Sequence, residues 1–383
     1  MFRLSPRANA LVASAALALL LAACGGGGAD TTPRTQATTL RVMGDSLADV
    51  GTFGGVKATV QGNDMYPERI SELYGLGKGC SFFAFTGTTF VPNPRAGCTN
   101  YAIGGGVINA AASGLSAADP RGIPVQFAAA TAAGNFAAGD LLLVDGGGND
   151  AAALVGAYLA IPRDGGASYT ALLGTLLTPQ QVQAAAAGGA AGLAAAGGTY
   201  MTALAASFHT LIQTQALDKG AQRIVLLNMP GITNTPRFQL VLDGIAAASG
   251  ANGATARAQS EGLFKSWVEA FNAELARRFA GNGRVAIVDF YKAFNDQVAT
   301  PAQYGLTNVK DTACPATGVG SDGLPSYSFP TCTDASLAAD PRAAGNANWY
   351  KSWAFSDGFH PTPYGHQLLA QLIAKTLASA GWL

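Results

Sequence analysis

Apolar residues in this chain gather into short unbroken runs, separated by longer stretches of helical periodicity. Leu40, Val42 and Met43 lead into Gly44-Asp45-Ser46, and Leu141-Leu142-Leu143-Val144 runs on to Gly146-Gly147-Gly148-Asn149-Asp150. A third run, 223–228, is halted by Met229-Pro230-Gly231, and a fourth, 285–288, ends at Asp289. Short apolar runs bounded by turn formers read as strands buried on both faces, as in a parallel sheet. Between them the period changes. Residues 66–73 predict a helix with Pro67 in its first turn, and 151–217 read as helical. Leu263, Trp267, Phe271, Leu275 and Phe279 mark the apolar face of an amphipathic helix over 255–279. A last helix runs from 363 to about 380. Strands alternating with helices predict an α/β fold with a doubly wound parallel sheet. Ligands in such sheets bind beyond the carboxyl ends of the strands. Ser46, Gly104 to Gly106 and Asn149 all fall just past such ends.

Three stretches lack this pattern. Residues 80–98 and 300–345, rich in Gly, Pro, Ser and Thr, predict loops. A loop as long as the second is usually functional or disordered. The Ala/Gly-rich tract 184–198 reads either as close-packed helix or as a mobile insertion.

Composition narrows the classes. With 49% hydrophobic and only 12% charged residues, the chain has ample material for a core, in one large domain or two ordinary ones. A formal net charge of zero and the lack of a basic stripe argue against nucleic acid as a partner. At the N-terminus, Arg3 and Arg7 precede an apolar run, 11–23, that is shorter than the roughly 20 residues of a membrane span. It ends in Leu21-Ala22-Ala23-Cys24, which resembles the lipobox of bacterial lipoproteins. By that resemblance 1–23 is a signal peptide and Cys24 is the lipidated mature N-terminus. Residues 24–39 then read as a flexible tether and 40–383 as the folded domain. The expectation is an exported bacterial lipoprotein, held to the outer membrane or cell surface through Cys24. Ordinary secretory cleavage, giving a periplasmic or secreted protein, is the alternative. Gly25, rather than an Asp, follows the cysteine, so no inner-membrane retention signal is present.

Export gives meaning to the other four cysteines, Cys80, Cys98, Cys314 and Cys332, as disulfide partners. Three connectivities are open. The local pairing is the simplest, because each local pair brackets a loop with little core of its own; closing such a loop is worth about 3 kcal/mol in the chain-entropy model. No Cys/His cluster has metal-ligand spacing, and neither a metal nor a cofactor is expected.

The remaining question is what Ser46 does. A serine hydroxyl is a poor nucleophile unless a base takes its proton, and histidine suits that task near neutral pH. His209 sits in an apolar helical stretch and reads as structural, and His366 as a surface or packing position in the last helix. His360 lies in a loop, three residues after Asp357, a spacing that lets a carboxylate orient the imidazole. Candidate oxyanion donors are the Ser46 N–H, an N–H of Gly104-Gly105, and the Asn149 amide.

Four blocks carry a resemblance: Gly44-Asp45-Ser46-Leu47, Asn100-Tyr101-Ala102-Ile103-Gly104-Gly105, Gly147-Gly148-Asn149-Asp150, and Asp357-Gly358-Phe359-His360-Pro361. In this order they resemble the GDSL, or SGNH, hydrolases, and the resemblance spans about residues 41–383. It implies a flavodoxin-like three-layer α/β/α fold with about five parallel strands. It also implies that Ser46 is the nucleophile, His360 the base and Asp357 its orienter. The oxyanion hole would be made by Ser46, Gly105 and Asn149, with Gly105 preferred over Gly104 from its distance to Asn100. Within the family the long first block resembles the bacterial lipase, phospholipase and haemolysin branch, from which Thr52 departs where Asn is common. The implied function is hydrolysis of carboxylic esters or lipids through an acyl-enzyme. The alternatives are a carbohydrate O-acetyl esterase, an acyltransferase, or a non-catalytic surface-binding lipoprotein.

Overall fold

In the computed structural model, which describes residues 36–383, the four apolar runs become four adjacent parallel strands. Residues 1–35, with the expected leader, Cys24 and most of the tether, lie outside the described residues. The first half holds β1 (Thr39–Met43), α1 (Tyr66–Leu73), β2 (Phe83–Phe85), β3 (Phe90–Pro92), α2 (Ile123–Thr131) and β4 (Asp140–Val144). Next come α3 (Gly148–Asp164), α4 (Ala167–Leu173), α5 (Pro179–Ala187), α6 (Gly189–Ile212) and β5 (Ile224–Leu227). They are followed by α7 (Pro236–Ala248), α8 (Gly253–Phe279), β6 (Val285–Val288) and α9 (Phe290–Ala299). The chain continues through β7 (Asn308–Thr312), β8 (Ala316–Val319), β9 (Pro325–Tyr327), α10 (Asp334–Ala338), β10 (Trp353–Phe355) and α11 (Pro363–Ser379).

The main sheet has the order β1-β4-β5-β6, with every pair parallel and Thr39 to Met43 registered on Asp140 to Val144. A further segment lies along the outer side of β1. Asn100 bridges Val42 in parallel, the Tyr101 N–H donates to Val42 O (2.7 Å), and the Val42 N–H donates to Thr99 O (3.1 Å). The expected five strands are therefore four full strands and this bridged segment, which turns away at Gly104 before it can extend. All four sheet strands end on the same side, which places residues 44–46, 145–149, 228–230 and 289–290 together.

Alternation within each strand explains the two helical layers. Met43, Leu142, Val144, Ile224 and Leu226 share one core with α2, α3, α6 and α8. Leu40, Val42, Leu141, Leu143, Val225 and Leu227 face the other way and share a second core with α1 and α11. Both faces are covered, so the strands read as continuous apolar runs. The Ala/Gly tract is helix, divided between α5 and α6. Its small residues allow close approach: a Cβ on Gly197 would lie 2.2 Å from the Trp267 ring, and the Trp267 indole N–H donates to Ala194 O (3.0 Å).

Both expected loops hold more structure than their patterning showed. Residues 80–98 form the β2–β3 hairpin, closed by a Cys80–Cys98 disulfide. Within 300–345, β7 pairs with the later strand β10, and β8 with β9 forms an antiparallel hairpin bracketed by a Cys314–Cys332 disulfide. A small separate core made of Val60, Ala313, Cys314, Cys332, Leu337 and Tyr350 supports this region. Its strands are too short and too exposed to produce a readable alternation, and the disulfide supplies part of the missing core. Of the three open connectivities, the structure has the local one.

Candidate active site

Met43 is fully buried, and the chain leaves β1 through Gly44, where a Cβ would lie 1.8 Å from an Asp145 carboxylate oxygen. Only glycine fits there. The next two residues turn sharply and project Ser46 over the carboxyl ends of the strands. Asp45 Oδ1 accepts from the Leu47 N–H (2.9 Å), and the Ala48 and Asp49 N–H groups close back on Asp45 O.

The loop after β10 brings the base. Ser356 N–H donates to His360 O (2.8 Å), and Asp357 Oδ1 accepts the backbone N–H groups of Phe359 (2.8 Å) and His360 (2.6 Å). This tight turn holds both Asp357 oxygens 2.9 Å from His360 Nδ1. His360 Nε2 lies 2.7 Å from Ser46 Oγ. With its Nδ1–H committed to a carboxylate, Nε2 is the acceptor that faces the serine hydroxyl. Burial disfavours the imidazolium, but the Asp357 charge and hydrogen bond outweigh it, and the His360 pKa lies above its ordinary value. Burial likewise works against the Asp357 carboxylate, and the His360 charge and hydrogen bonds overcome it, so Asp357 is lowered. The α7 N-terminus supports the turn from outside, since Arg237 N–H donates to Gly358 O (2.9 Å).

Opposite the serine lie three donors. The Ser46 and Gly105 backbone N–H groups have no hydrogen-bond partner among the described residues, and the Asn149 amide donates to Gly106 O (2.9 Å) and, at the longer distance of 3.5 Å, to Asp45 Oδ2. Gly104 is different: its N–H is already spent on Asp49 Oδ2 (2.9 Å). Gly105, at φ 79°, occupies the left-handed region and lines the same open cavity as Ser46 and Asn149. The geometry thus favours Gly105 over Gly104 as a donor. A serine with a base, an oriented base, and unsatisfied donors across from it can stabilise an oxyanion as it forms.

The family model described as GDSL-like Lipase/Acylhydrolase matches residues 40–373. The chain belongs to this family. It is accordingly an α/β hydrolase of the ester-hydrolysing kind. No curated protein is similar enough to the chain to count as a relative.

In this GDSL-like hydrolase several supporting residues were given no role by the sequence reading. Gln126, fully buried on α2, clamps the nucleophile turn from both sides: its Oε1 accepts Gly44 N–H (2.8 Å) and its Nε2 donates to Gly44 O (2.9 Å). Asp49 binds the first block to the second, accepting from Gly51, Thr52 and Gly104 N–H. Its place in Asp49-x-Gly51 was the available signal. Asp145, at the end of β4, accepts Asp45 N–H (2.9 Å) and the Tyr66 hydroxyl (2.7 Å). Burial, then the nearby Asp45 charge, push its carboxyl well above the usual range.

The other two histidines stay out of the site. His209 is half-buried against Phe279, with ring centroids 4.7 Å apart. His366 is fully buried rather than at the surface, and it packs α11 on α1 by accepting the Tyr66 N–H at Nδ1 (3.3 Å). Burial pulls its pKa down to about 3, so it remains neutral.

Proposed function

We propose that this GDSL-like hydrolase is a serine carboxylesterase that works through an acyl-enzyme. The carrying observation is the unbroken relay from Asp357 through His360 to Ser46, facing the Ser46 and Gly105 N–H groups, which have no other partner among the described residues, with the Asn149 amide beside them. Ser46 Oγ attacks the ester carbonyl carbon as its proton passes to His360 Nε2. Negative charge on the carbonyl oxygen is received by the Ser46 and Gly105 N–H groups and the Asn149 amide. Collapse breaks the carbon–oxygen bond, and His360 returns the proton to the departing alcohol. Water then attacks the acyl group with His360 as base, which frees the acid and regenerates Ser46. Lipase and phospholipase action are variants of this same reaction. A Ser46→Ala variant should fold normally and lose turnover of p-nitrophenyl acyl esters by at least about 10³-fold. It should also escape labelling by a fluorophosphonate. Near-normal turnover in that variant would remove Ser46 from the mechanism.

The same reading places the enzyme outside the cytoplasm, as a lipoprotein anchored through Cys24. The lipobox-like Leu21-Ala22-Ala23-Cys24 and the paired cysteines of the folded domain support it. A fatty-acid analogue fed to the producing cells should label the protein, and Cys24→Ser should prevent it. Equal labelling of both forms would rule the anchor out.

A further inference from the structure

Two cavities of different character meet at the reacting serine. Ser46, Asn149, Phe359 and His360 line both. The outer one, about 350 Å³, is open and bordered by Gly105, Arg237, Tyr327 and Gly358. The inner one is about 90 Å³ and runs under the catalytic loop between the strand ends, α9 and α11. Its wall is mainly apolar, with Met229, Ile232, Phe294, Leu306, Phe355 and Leu368 on it.

We propose that the inner cavity is the acyl site, and that its size selects acyl chains of about two to four carbons. This assignment rests on the serine-esterase reading above. With its oxygen in the oxyanion hole, a tetrahedral intermediate has two arms left to place, the acyl chain and the alcohol. The apolar arm gains by leaving water, and the inner cavity offers an apolar lining. The leaving alcohol keeps solvent and polar neighbours in the outer cavity. The Asp45 and Asp145 carboxyls on the inner wall accept from partners of their own, so they do not demand a polar ligand.

Size follows from two observations. At roughly 30 Å³ for each water-sized group, the inner cavity holds about three beyond the carbonyl. Its floor is also one packed unit: Leu306, Ala354 and Phe355 form a core cluster against which Phe294 and Leu368 pack. A longer chain must displace those side chains, and interiors resist overpacking.

The test is kcat/KM for p-nitrophenyl acetate, propionate, butyrate, hexanoate and octanoate. It should rise about fourfold per methylene up to butyrate, then fall at least about tenfold at hexanoate. Phe294→Ala should move the fall to longer chains, and Leu368→Phe should move it to shorter ones. Ala152→Phe, on the outer wall, should alter rates without moving it. Because the two inner variants shift in opposite senses, a general loss of stability cannot imitate the result. Octanoate turned over as well as butyrate, a cut-off indifferent to both inner variants, or one moved by Ala152→Phe would overturn the acyl assignment alone. Absence of turnover of every ester by the unaltered enzyme would overturn the esterase reading itself, and this one with it.

Discussion

His360 carries opposing influences, and their balance has a measurable sign. Burial pushes its pKa down, while Asp357 and, to a smaller degree, the Asp45 charge push it up, with the upward effects prevailing. Only the neutral imidazole can take the Ser46 proton, so activity is absent well below the His360 pKa and appears as pH rises through it. The acid limb of kcat/KM should therefore lie above the ordinary imidazole value of about 6.5. In Asp357→Asn the larger upward influence is gone, while burial and the smaller effect of the Asp45 charge remain. That variant should shift the limb to lower pH while its rate falls on the order of 10³–10⁴. An acid limb in the same place for both forms would separate Asp357 from the titration. Ser46, Asp357 and His360 were legible because each stands in a local pattern: a turn after a strand, and a carboxylate three residues before a histidine. Gln126 and Asp145 were not. A glutamine in an apolar helix and an acid after a strand carry no local signature; their partners lie 82 and 100 residues away in sequence, and only the fold brings them together.

Among the elements, strands and long helices were readable because burial on two faces or on one stripe imposes a period. The predicted helix 66–73 and strand 285–288 agree with α1 and β6 to the residue. Residues 184–198 could not be resolved by period, since alanine and glycine suit either outcome. What decides them is α8: Trp267 needs a neighbour without a side chain, and α6 supplies Gly197. Placing a methyl group there should destabilise the protein by about 1–3 kcal/mol, the usual effect of overpacking a close contact. Denaturant unfolding of Gly197→Ala beside the unaltered protein measures it, and equal midpoints would mean that the helices part without penalty. The short strands β7 to β9 failed to show in the sequence for the opposite reason: β8 is exposed along its whole length, so burial leaves no periodic mark on it.

At the scale of the whole molecule, two disulfides brace the two hairpin regions that lie outside the main sheet. Each spans 18 residues, and closing a loop of that size is worth about 3 kcal/mol in the chain-entropy model. Reductant should lower the melting temperature substantially, and serine replacements of each pair should divide the loss between them. An unchanged melt would show that the bonds add nothing. The paired cysteines were legible as a group from their even number and the leader-like N-terminus, but which cysteine joins which was settled only by the hairpins they bracket.

The bond between Cys314 and Cys332 also has a consequence in time. Phe329, inside the loop it closes, sets its ring edge-on to His360 with centroids 5.5 Å apart, and Tyr327, from the same loop, borders the outer cavity. While that bond is unmade, the flank of the histidine rests on the Gln61 N–H donating to Cys332 O (2.8 Å) and on the small core around Val60 and Tyr350. Its formation braces one wall of the cleft as well as strengthening the protein. The reduced chain should therefore reach full ester-cleaving activity only after oxidation, and equal activity before and after would detach the bond from the cleft.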